Sequence, residues 1–134
     1  MTSIGCGGMI LKGNEVLLML RKNASTYNEM WSNPGGSVEP DEEIEDAVIR
    51  EISEELGVTV EIIKHLGDYE EIKEGKVKSI ASGYEVTIVK GIPQIMEPHK
   101  AKKLRYFKID NLPENLAPYT KLYIEKLKLS HHNN

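Results

Sequence analysis

The stretch PGGSVEPDEEIEDAVIREISEELGV, residues 34–58, decides the fold of this chain. Its glycine pair opens a loop, and Pro40 and Asp41 mark a turn that leads into a helix. The spacing predicts this helix over residues 43–56, because apolar residues recur every three or four positions along it. Gly57 follows as a natural left-handed stop, so the segment reads as a loop, a turn and one strong amphipathic helix.

Two neighbouring faces of the predicted helix have opposite character. At about 100° per residue, the carboxylates of Glu51, Glu54 and Glu55 fall within an arc of roughly 100°. The adjoining face must pack on a core, because it carries an apolar stripe. That stripe consists of Ile44, Val48, Ile52 and Leu56.

The three carboxylates weaken the helix that carries them. Like charges three and four positions apart repel by a few tenths of a kcal/mol per pair. Acidic side chains in a last turn also oppose the helix dipole, at roughly 0.3–1 kcal/mol each. Local rules that fail together indicate a functional site, and a hard divalent cation with oxygen ligands would compensate the charge. The alternative is an ordinary solvated acidic face.

The spacing of the whole segment resembles the Nudix box, the signature of the Nudix hydrolases. Five residues separate Gly36 from Glu42, and seven more lead to Arg50 and Glu51. An apolar residue, a serine, two glutamates, Leu56 and Gly57 complete the pattern. The resemblance implies an α/β fold, the Nudix α/β/α sandwich with a central mixed β-sheet. It also implies hydrolysis of a diphosphate linked to a nucleoside, with Mg²⁺ as the cofactor and Mn²⁺ as the alternative.

The same resemblance implies a role for each residue of the box. Glu54 and Glu55 match metal-ligand glutamates, and Glu51 matches a residue that binds metal or orients the attacking water. The Gly35 carbonyl matches a backbone metal ligand of several members. Arg50 resembles an arginine that holds the catalytic loop and a glutamate. The predicted structural residues of the box are Gly36, Glu42 and Gly57.

Two positions depart from the common pattern, and one candidate lies outside the box. Asp41 stands where many members have glycine, and Glu43 where many have a Ser or Thr cap, so we expect the start of the helix to differ. Some members place the catalytic base in a later loop, and Glu97 is the candidate for this auxiliary acid. Its alternative is a solvated loop glutamate.

Five further residues are candidates for substrate binding. Arg21 ends a predicted strand where related enzymes carry a phosphate-binding arginine, although a surface charge is the alternative. Trp31 offers an aromatic face to a base or anchors the core. The Asn33 amide could meet a base edge or bond its own loop. Tyr119 and Thr120 lie where some MutT-like enzymes place a base-contacting residue.

Composition indicates one ordinary globular domain, residues 1–134, because 40% of its residues are hydrophobic and 28% are charged. The net charge of −4 gives no reason to expect nucleic-acid binding. Cys6 lies in an apolar run and is expected to be a core residue. The sequence shows no signal peptide and no apolar run of about 20 residues, so we expect a cytoplasmic protein without a membrane partner. Nothing in the composition predicts an oligomeric state.

Outside the box, alternating and apolar runs predict strands. They cover residues 3–11, 15–21, 58–63, 68–72, 76–90 and 103–109, and a second helix is predicted over 117–127. The fifth of these runs follows a turn at Glu74-Gly75, and the fourth extends the third or follows a bend at Gly67. The last residues, from Ser130 onward, are expected to be frayed.

The substrate is predicted from features outside the box. Residues 72–75 lack the proline that ADP-ribose pyrophosphatases usually carry at this distance from the box. The compact length and the ending resemble MutT-like enzymes, which convert a nucleoside triphosphate, sometimes oxidised or non-standard, to the monophosphate and pyrophosphate. Two alternatives stay open: hydrolysis of ADP-ribose or another nucleotide-sugar diphosphate, and a non-catalytic nucleotide-sensing module.

Overall fold

The computed structural model describes residues 2–132 of the chain. Its strands are β1 (Ser3–Lys12), β2 (Glu15–Arg21), β3 (Trp31–Ser32), β4 (Gly35–Ser37), β5 (Thr59–Lys73), β6 (Lys76–Lys90) and β7 (Ala101–Lys108). Its helices are α1 (Ile44–Leu56) and α2 (Pro118–His132). Over this part of the chain, no helix combines the length and the hydrophobicity that crossing a membrane requires.

Strand β1 organises a mixed sheet. It runs parallel to β6 from Ser3 to Ile10, and it pairs antiparallel with β2 near its own end and with β4 near its start. The order across the sheet is β3-β2-β1-β6-β5, and β7 pairs with β2. Every pairing apart from that of β1 with β6 is antiparallel, so the mixed sheet is as predicted.

The two helices cover opposite faces of the sheet. Helix α1 packs through its predicted apolar stripe, and three of the four stripe residues have no exposed surface. Helix α2 packs through Tyr123, Ile124 and Leu127 against Met9 and Val16 on the other face of the sheet. The α/β/α sandwich implied by the resemblance is therefore confirmed. Cys6 is buried among the hydrophobic residues that pack beneath α1, as expected.

The observed end of α1 agrees with the predicted end, whereas the observed end of α2 does not. Helix α1 ends at Leu56, and Gly57 adopts φ 70° while its N–H donates to the Ser53 carbonyl at 2.9 Å. Helix α2 continues to His132, five residues past the predicted end. The prediction of a frayed end from Ser130 was wrong for residues 130–132, where His131 Nε2 lies 3.0 Å from the buried Glu85 carboxylate. Residues 133 and 134 lie outside the described part of the chain.

Two short strands were not predicted from the sequence. Strand β3 pairs with β2, and β4 pairs with β1. Each contains only two or three residues, so neither produces a periodic pattern in the sequence. The predicted strands over 58–63 and 68–72 form the single strand β5, whose bend is absorbed by register shifts near Ile62 and His65.

The start of α1 is irregular, as the departures at Asp41 and Glu43 predicted. Asp41 adopts φ 67°, a left-handed conformation that favours glycine. Glu43, the N-cap residue, makes no side-chain hydrogen bond to the first turn. The first turn therefore forms without the capping bond that Ser or Thr would supply.

We expect Asp41→Gly to raise the free energy of unfolding by about 0.5–1 kcal/mol, because glycine adopts φ 67° without strain. Urea denaturation of both proteins measures the change. Asp41→Ala is the matched control, since alanine removes the same charge but retains a Cβ, and we expect it to be less stable than wild type. Equal stability of the glycine and alanine variants would contradict the assigned strain.

Candidate active site

A cleft of about 570 Å³ lies beside the box helix. One wall is formed by the β4 segment and the cleft-facing carboxylates of α1, and the opposite wall by the loop that follows β2. The first turns of α2 close one side. Lining residues include Gly5, Gly7, Arg21, Lys22, Asn33, Gly35, Gly36, Glu51, Glu55, Lys100, Tyr119 and Tyr123.

Arg50 joins the loop before α1 to the glutamates of the helix. Its Nε lies 2.8 Å from Glu42 Oε2 and its Nη2 lies 2.9 Å from Glu42 Oε1, a bidentate pair. The Arg50 side chain also donates to the Ser37 carbonyl at 3.0 Å, to Glu51 at 3.0 Å and to Glu54 at 3.3 Å. The geometry agrees with the positioning role that the resemblance implied for Arg50 and Glu42.

The charges in this network reinforce one another. Hydrogen bonds from Arg50, together with the backbone N–H of Glu39, lower the pKa of Glu42 to about 2. The same glutamate raises the pKa of Arg50, and Glu51 and Glu54 add to that effect. Glu42 and Arg50 therefore stay ionised throughout the physiological pH range.

Glu51 lies against the glycine loop. Its side chain is 14% exposed, and a Cβ at Gly36 would come within 2.3 Å of its carboxylate. Only glycine leaves room for this carboxylate at the cleft wall. Gly36 is thus required by close approach and not by an unusual backbone angle.

Glu55 is the buried carboxylate of the site. It is 9% exposed, and its Oε1 accepts a hydrogen bond from the Gly35 N–H at 2.7 Å. Burial raises the pKa of Glu55 to about 8; repulsion from Glu51 and Glu97 acts in the same direction. The Gly35 N–H and the Lys100 charge lower the pKa, but their contribution is smaller than that of burial.

Glu54 differs from the other two box glutamates. Its side chain is 51% exposed, and it does not line the cleft. Among residues 2–132, no three acidic, histidine or cysteine side chains are grouped as in a formed metal centre. Arg50 Nη1 contacts both Glu51 and Glu54, while the Gly35 N–H holds Glu55, and a metal site formed by the three carboxylates stays a prediction.

The donor set nevertheless fits a hard divalent cation. It offers carboxylate oxygens from successive turns of one helix, beside the backbone of Gly35. The last turn of α1 contains no basic residue, and Arg50, which lies before it, bonds to Glu51 and Glu54 but not to Glu55. Burial is the main cause of the raised pKa of Glu55, and a bound cation would lower that pKa.

Glu97 lies next to the site, although it does not line the cleft. The N–H of neighbouring Met96 donates to the Glu55 carbonyl at 2.9 Å, which fixes this loop against the end of α1. Glu97 Oε2 lies 3.6 Å from Lys100 Nζ. Its charge also raises the pKa of Glu55, so Glu97 is near enough to act on the metal ligands. Its role as auxiliary acid stays a prediction.

Arg21 and Tyr119, two of the five predicted substrate residues, face the cleft with side-chain groups near each other. Arg21 Nη1 donates to the Tyr119 hydroxyl at 3.0 Å. Its Nε and Nη2 donate to the Thr26 carbonyl at 3.3 and 3.1 Å, so Arg21 also holds the loop wall. The position agrees with a cation at the cleft, and substrate binding by both residues stays a prediction.

The other three residues favour the structural alternatives. Trp31 is 7% exposed and packs edge-on against Phe107 at a centroid distance of 4.8 Å, within the core. Thr120 has no exposed surface, and its hydroxyl donates to Asn33 Oδ1 at 2.6 Å. Asn33 Nδ2 donates to the Pro34 carbonyl at 3.0 Å, which leaves little of this amide for a base. Trp31 and Thr120 do not line the cleft, which corrects their assignment as substrate-binding residues.

Several cleft residues were missed from the sequence. Lys22, Lys100 and Tyr123 all line the cleft, and no motif or spacing distinguishes them. The sequence offered one signal for basic residues at the cleft, the pair Arg21-Lys22 at the end of β2, which we interpreted as the end of a strand.

Comparisons with known proteins agree with this geometry. The family model described as NUDIX domain matches residues 1–127. An ADP-ribose pyrophosphatase of Methanocaldococcus jannaschii is 32% identical over 123 residues, which cover 90% of this chain and 70% of that protein. Diphosphoinositol polyphosphate phosphohydrolase 3-alpha of Mus musculus is 32% identical over 124 residues, 87% of this chain and 70% of that protein.

A solved structure extends the likeness to the fold. The MutT NUDIX hydrolase from Burkholderia pseudomallei superposes with a TM-score of 0.88 at 33% sequence identity. The match covers 95% of this chain and 98% of that chain. At this coverage the likeness extends over the whole sandwich as well as the box.

The buried Glu55 predicts a pH dependence of stability without metal. Because its folded pKa of about 8 exceeds the usual glutamate pKa of about 4.5, the folded state binds the proton more tightly. The free energy of unfolding should therefore fall as pH rises from about 4.5 to 8, by about 2–4 kcal/mol. Urea denaturation in EDTA measures it.

Glu55→Gln should abolish most of this fall, because the amide does not ionise. Glu45→Gln, on the exposed side of the same helix, is the control and should keep the wild-type dependence. The same pH dependence in Glu55→Gln and wild type would contradict the assignment of the raised pKa to Glu55.

Proposed function

The chain belongs to the Nudix hydrolase family, and we propose that it converts nucleoside triphosphates to the monophosphate and pyrophosphate. The coarser activity, hydrolysis of nucleoside diphosphate-linked substrates by a Nudix enzyme, follows from the family match. One observation carries the finer proposal. The carboxylates of Glu51 and Glu55 share one cleft with the cations of Arg21, Lys22 and Lys100.

This arrangement suits a phosphate chain. Acidic oxygens at one wall would hold Mg²⁺ or Mn²⁺, and the basic side chains would meet phosphate oxygens beyond it. A bound cation would neutralise phosphate charge and polarise the phosphorus centre toward attack by water. A cleft of about 570 Å³ is also within the usual size range of small-ligand sites.

The chain's own residues then have distinct roles. We assign Glu51 as the general base that accepts a proton from the attacking water, because Arg50 holds its carboxylate at the cleft wall. The water oxygen forms a new P–O bond as the anhydride P–O bond breaks, and pyrophosphate leaves with the electron pair. Glu54, Glu55 and the Gly35 carbonyl would hold the cation.

Glu97 is the second candidate for the base or for an additional ligand. It lies close enough to Glu55 to affect the pKa of that carboxyl group. Glu97 does not line the cleft, whereas Glu51 does and is held there by Arg50. For this reason Glu51 is preferred as the base.

The names of the relatives favour different substrates. The MutT NUDIX hydrolase is 33% identical and covers nearly the whole of both chains, which supports a nucleoside triphosphate. The relative described as an ADP-ribose pyrophosphatase supports a second candidate, hydrolysis of ADP-ribose or another nucleotide-sugar diphosphate. A polyphosphorylated inositol carries more negative charge than a nucleoside triphosphate, and three basic side chains line this cleft.

A substrate panel tests the proposal. Purified protein is assayed with the common and oxidised nucleoside triphosphates, ADP-ribose and nucleotide sugars, each with Mg²⁺, with Mn²⁺ and with EDTA. We expect metal-dependent release of pyrophosphate and a nucleoside monophosphate from at least one triphosphate. Glu51→Gln should lower kcat by about 10²–10⁴-fold with folding retained. Glu45→Gln is the matched control and should keep wild-type activity.

Two outcomes would overturn the proposal in different ways. A larger kcat/KM for ADP-ribose or a nucleotide sugar than for every triphosphate would replace the substrate and keep the enzyme. An absence of metal-dependent hydrolysis across the panel, with nucleotide binding retained, would favour a sensing module.

A further inference from the structure

We infer that Lys22 and Lys100 together bind the terminal phosphates of the substrate and thereby select a triphosphate over a nucleotide-sugar diphosphate. The inference rests on the proposed function, because it names the groups that read the leaving pyrophosphate. Neither lysine belongs to the box.

The backbone brings the two lysines together from distant parts of the chain. Lys22 directly follows β2, and Lys100 directly precedes β7. The Lys22 N–H donates to the Lys100 carbonyl at 2.9 Å, which continues the pairing of these two strands. Both residues line the cleft that contains Glu51 and Glu55.

Lys100 lies on the side of the metal ligands. Its Nζ is 3.6 Å from Glu97 Oε2, and it lines the same cleft as the buried Glu55. The side chain is 57% exposed, so the ammonium group can leave this long ion pair without desolvation cost. A phosphate at the metal ligands would therefore lie within reach of this lysine.

Lys22 is a cation of the cleft whose ammonium group has no polar partner among residues 2–132. The residue is half-buried. A protein with a net charge of −4 offers many carboxylates for pairing, yet none lies against this lysine. A cation kept without a partner at the wall of a cleft is explained by an anion that binds there.

The other nearby cations are already engaged. Arg21 donates to Tyr119 and to the Thr26 carbonyl, and Arg50 is held by Glu42 and Glu51. Lys102 is paired with Glu29 on the outside of the loop. Arg21 uses three of its five N–H donors in these bonds, whereas the Lys22 ammonium group donates to none of the described residues and Lys100 makes one long ion pair, so the two lysines are the least engaged cations of the cleft.

The selectivity follows from charge. When the bond between the first and second phosphates of a triphosphate breaks, the leaving group is pyrophosphate, with two phosphates beyond the scissile oxygen. In ADP-ribose the corresponding leaving group is a sugar monophosphate. Two lysines on paired backbone positions at the cleft would therefore stabilise the first leaving group more than the second.

The test replaces the lysines by methionine, which keeps the apolar part of the side chain and removes the charge. The double variant Lys22→Met/Lys100→Met should lower kcat/KM for the triphosphate by about 10–100-fold, and for ADP-ribose by less than about threefold. The matched control, Lys103→Met/Lys108→Met, removes the same charge from exposed positions of β7 outside the cleft. Thermal unfolding and circular dichroism verify that all variants fold.

Direct binding separates this inference from the proposed function. Calorimetry with pyrophosphate and with AMP, each in Mg²⁺, requires no turnover and no knowledge of the substrate. We expect pyrophosphate affinity to fall by about 10–100-fold in the double variant, AMP affinity to stay near wild type, and Lys22→Arg/Lys100→Arg to keep most of the pyrophosphate affinity.

Unchanged pyrophosphate affinity in the double variant would overturn the inference, whichever substrate the panel identifies. Equal losses for pyrophosphate and AMP, or an equal loss in the β7 control, would also overturn it, because each would indicate a general effect of charge. If triphosphates are not hydrolysed but pyrophosphate binding depends on the two lysines, the proposed function fails and the phosphate site stands.

Discussion

Repulsion among the carboxylates of α1 is the constraint on which the site depends. Glu51, Glu54 and Glu55 occupy the last turns of a helix that contains no basic residue there. The fold compensates two of them through the guanidinium of Arg50 and the third through the N–H of Gly35. These bonds offset part of the repulsion, but burial keeps the pKa of Glu55 far above its usual value.

The loops around the helix are built to serve this compensation. Strand β4 pairs with β1 and presents the Gly35 N–H to Glu55, and the absence of a side chain at Gly36 leaves room for Glu51. Glu42 fixes Arg50 from the other side through a bidentate pair. The glycines, the arginine and the glutamates of the box therefore contact one another directly, and these contacts explain their spacing in the sequence.

The box could be predicted from sequence because its signals are local: α1 begins one residue from the predicted start and ends at the predicted residue. The residues that line the cleft could not be predicted from sequence, because they depend on which face of a strand each side chain occupies. Trp31 and Thr120 were assigned to substrate, yet both turn into the core. Lys22 and Lys100 were overlooked because a strand pairing, and no motif, brings them together. The strands β3 and β4 are too short to produce an alternating hydrophobic pattern in the sequence.

Calorimetric titration of wild-type protein with Mg²⁺ at pH 7, in two buffers of different ionisation enthalpy, tests the central claim most directly. If the carboxylates of α1 are a cation site strained by their own repulsion, Mg²⁺ binds and displaces the proton that the raised pKa of Glu55 retains at this pH. The apparent binding enthalpy then differs between the buffers, and the difference corresponds to release of up to about one proton. Binding with the same enthalpy in both buffers, or no binding at millimolar Mg²⁺, would contradict this account.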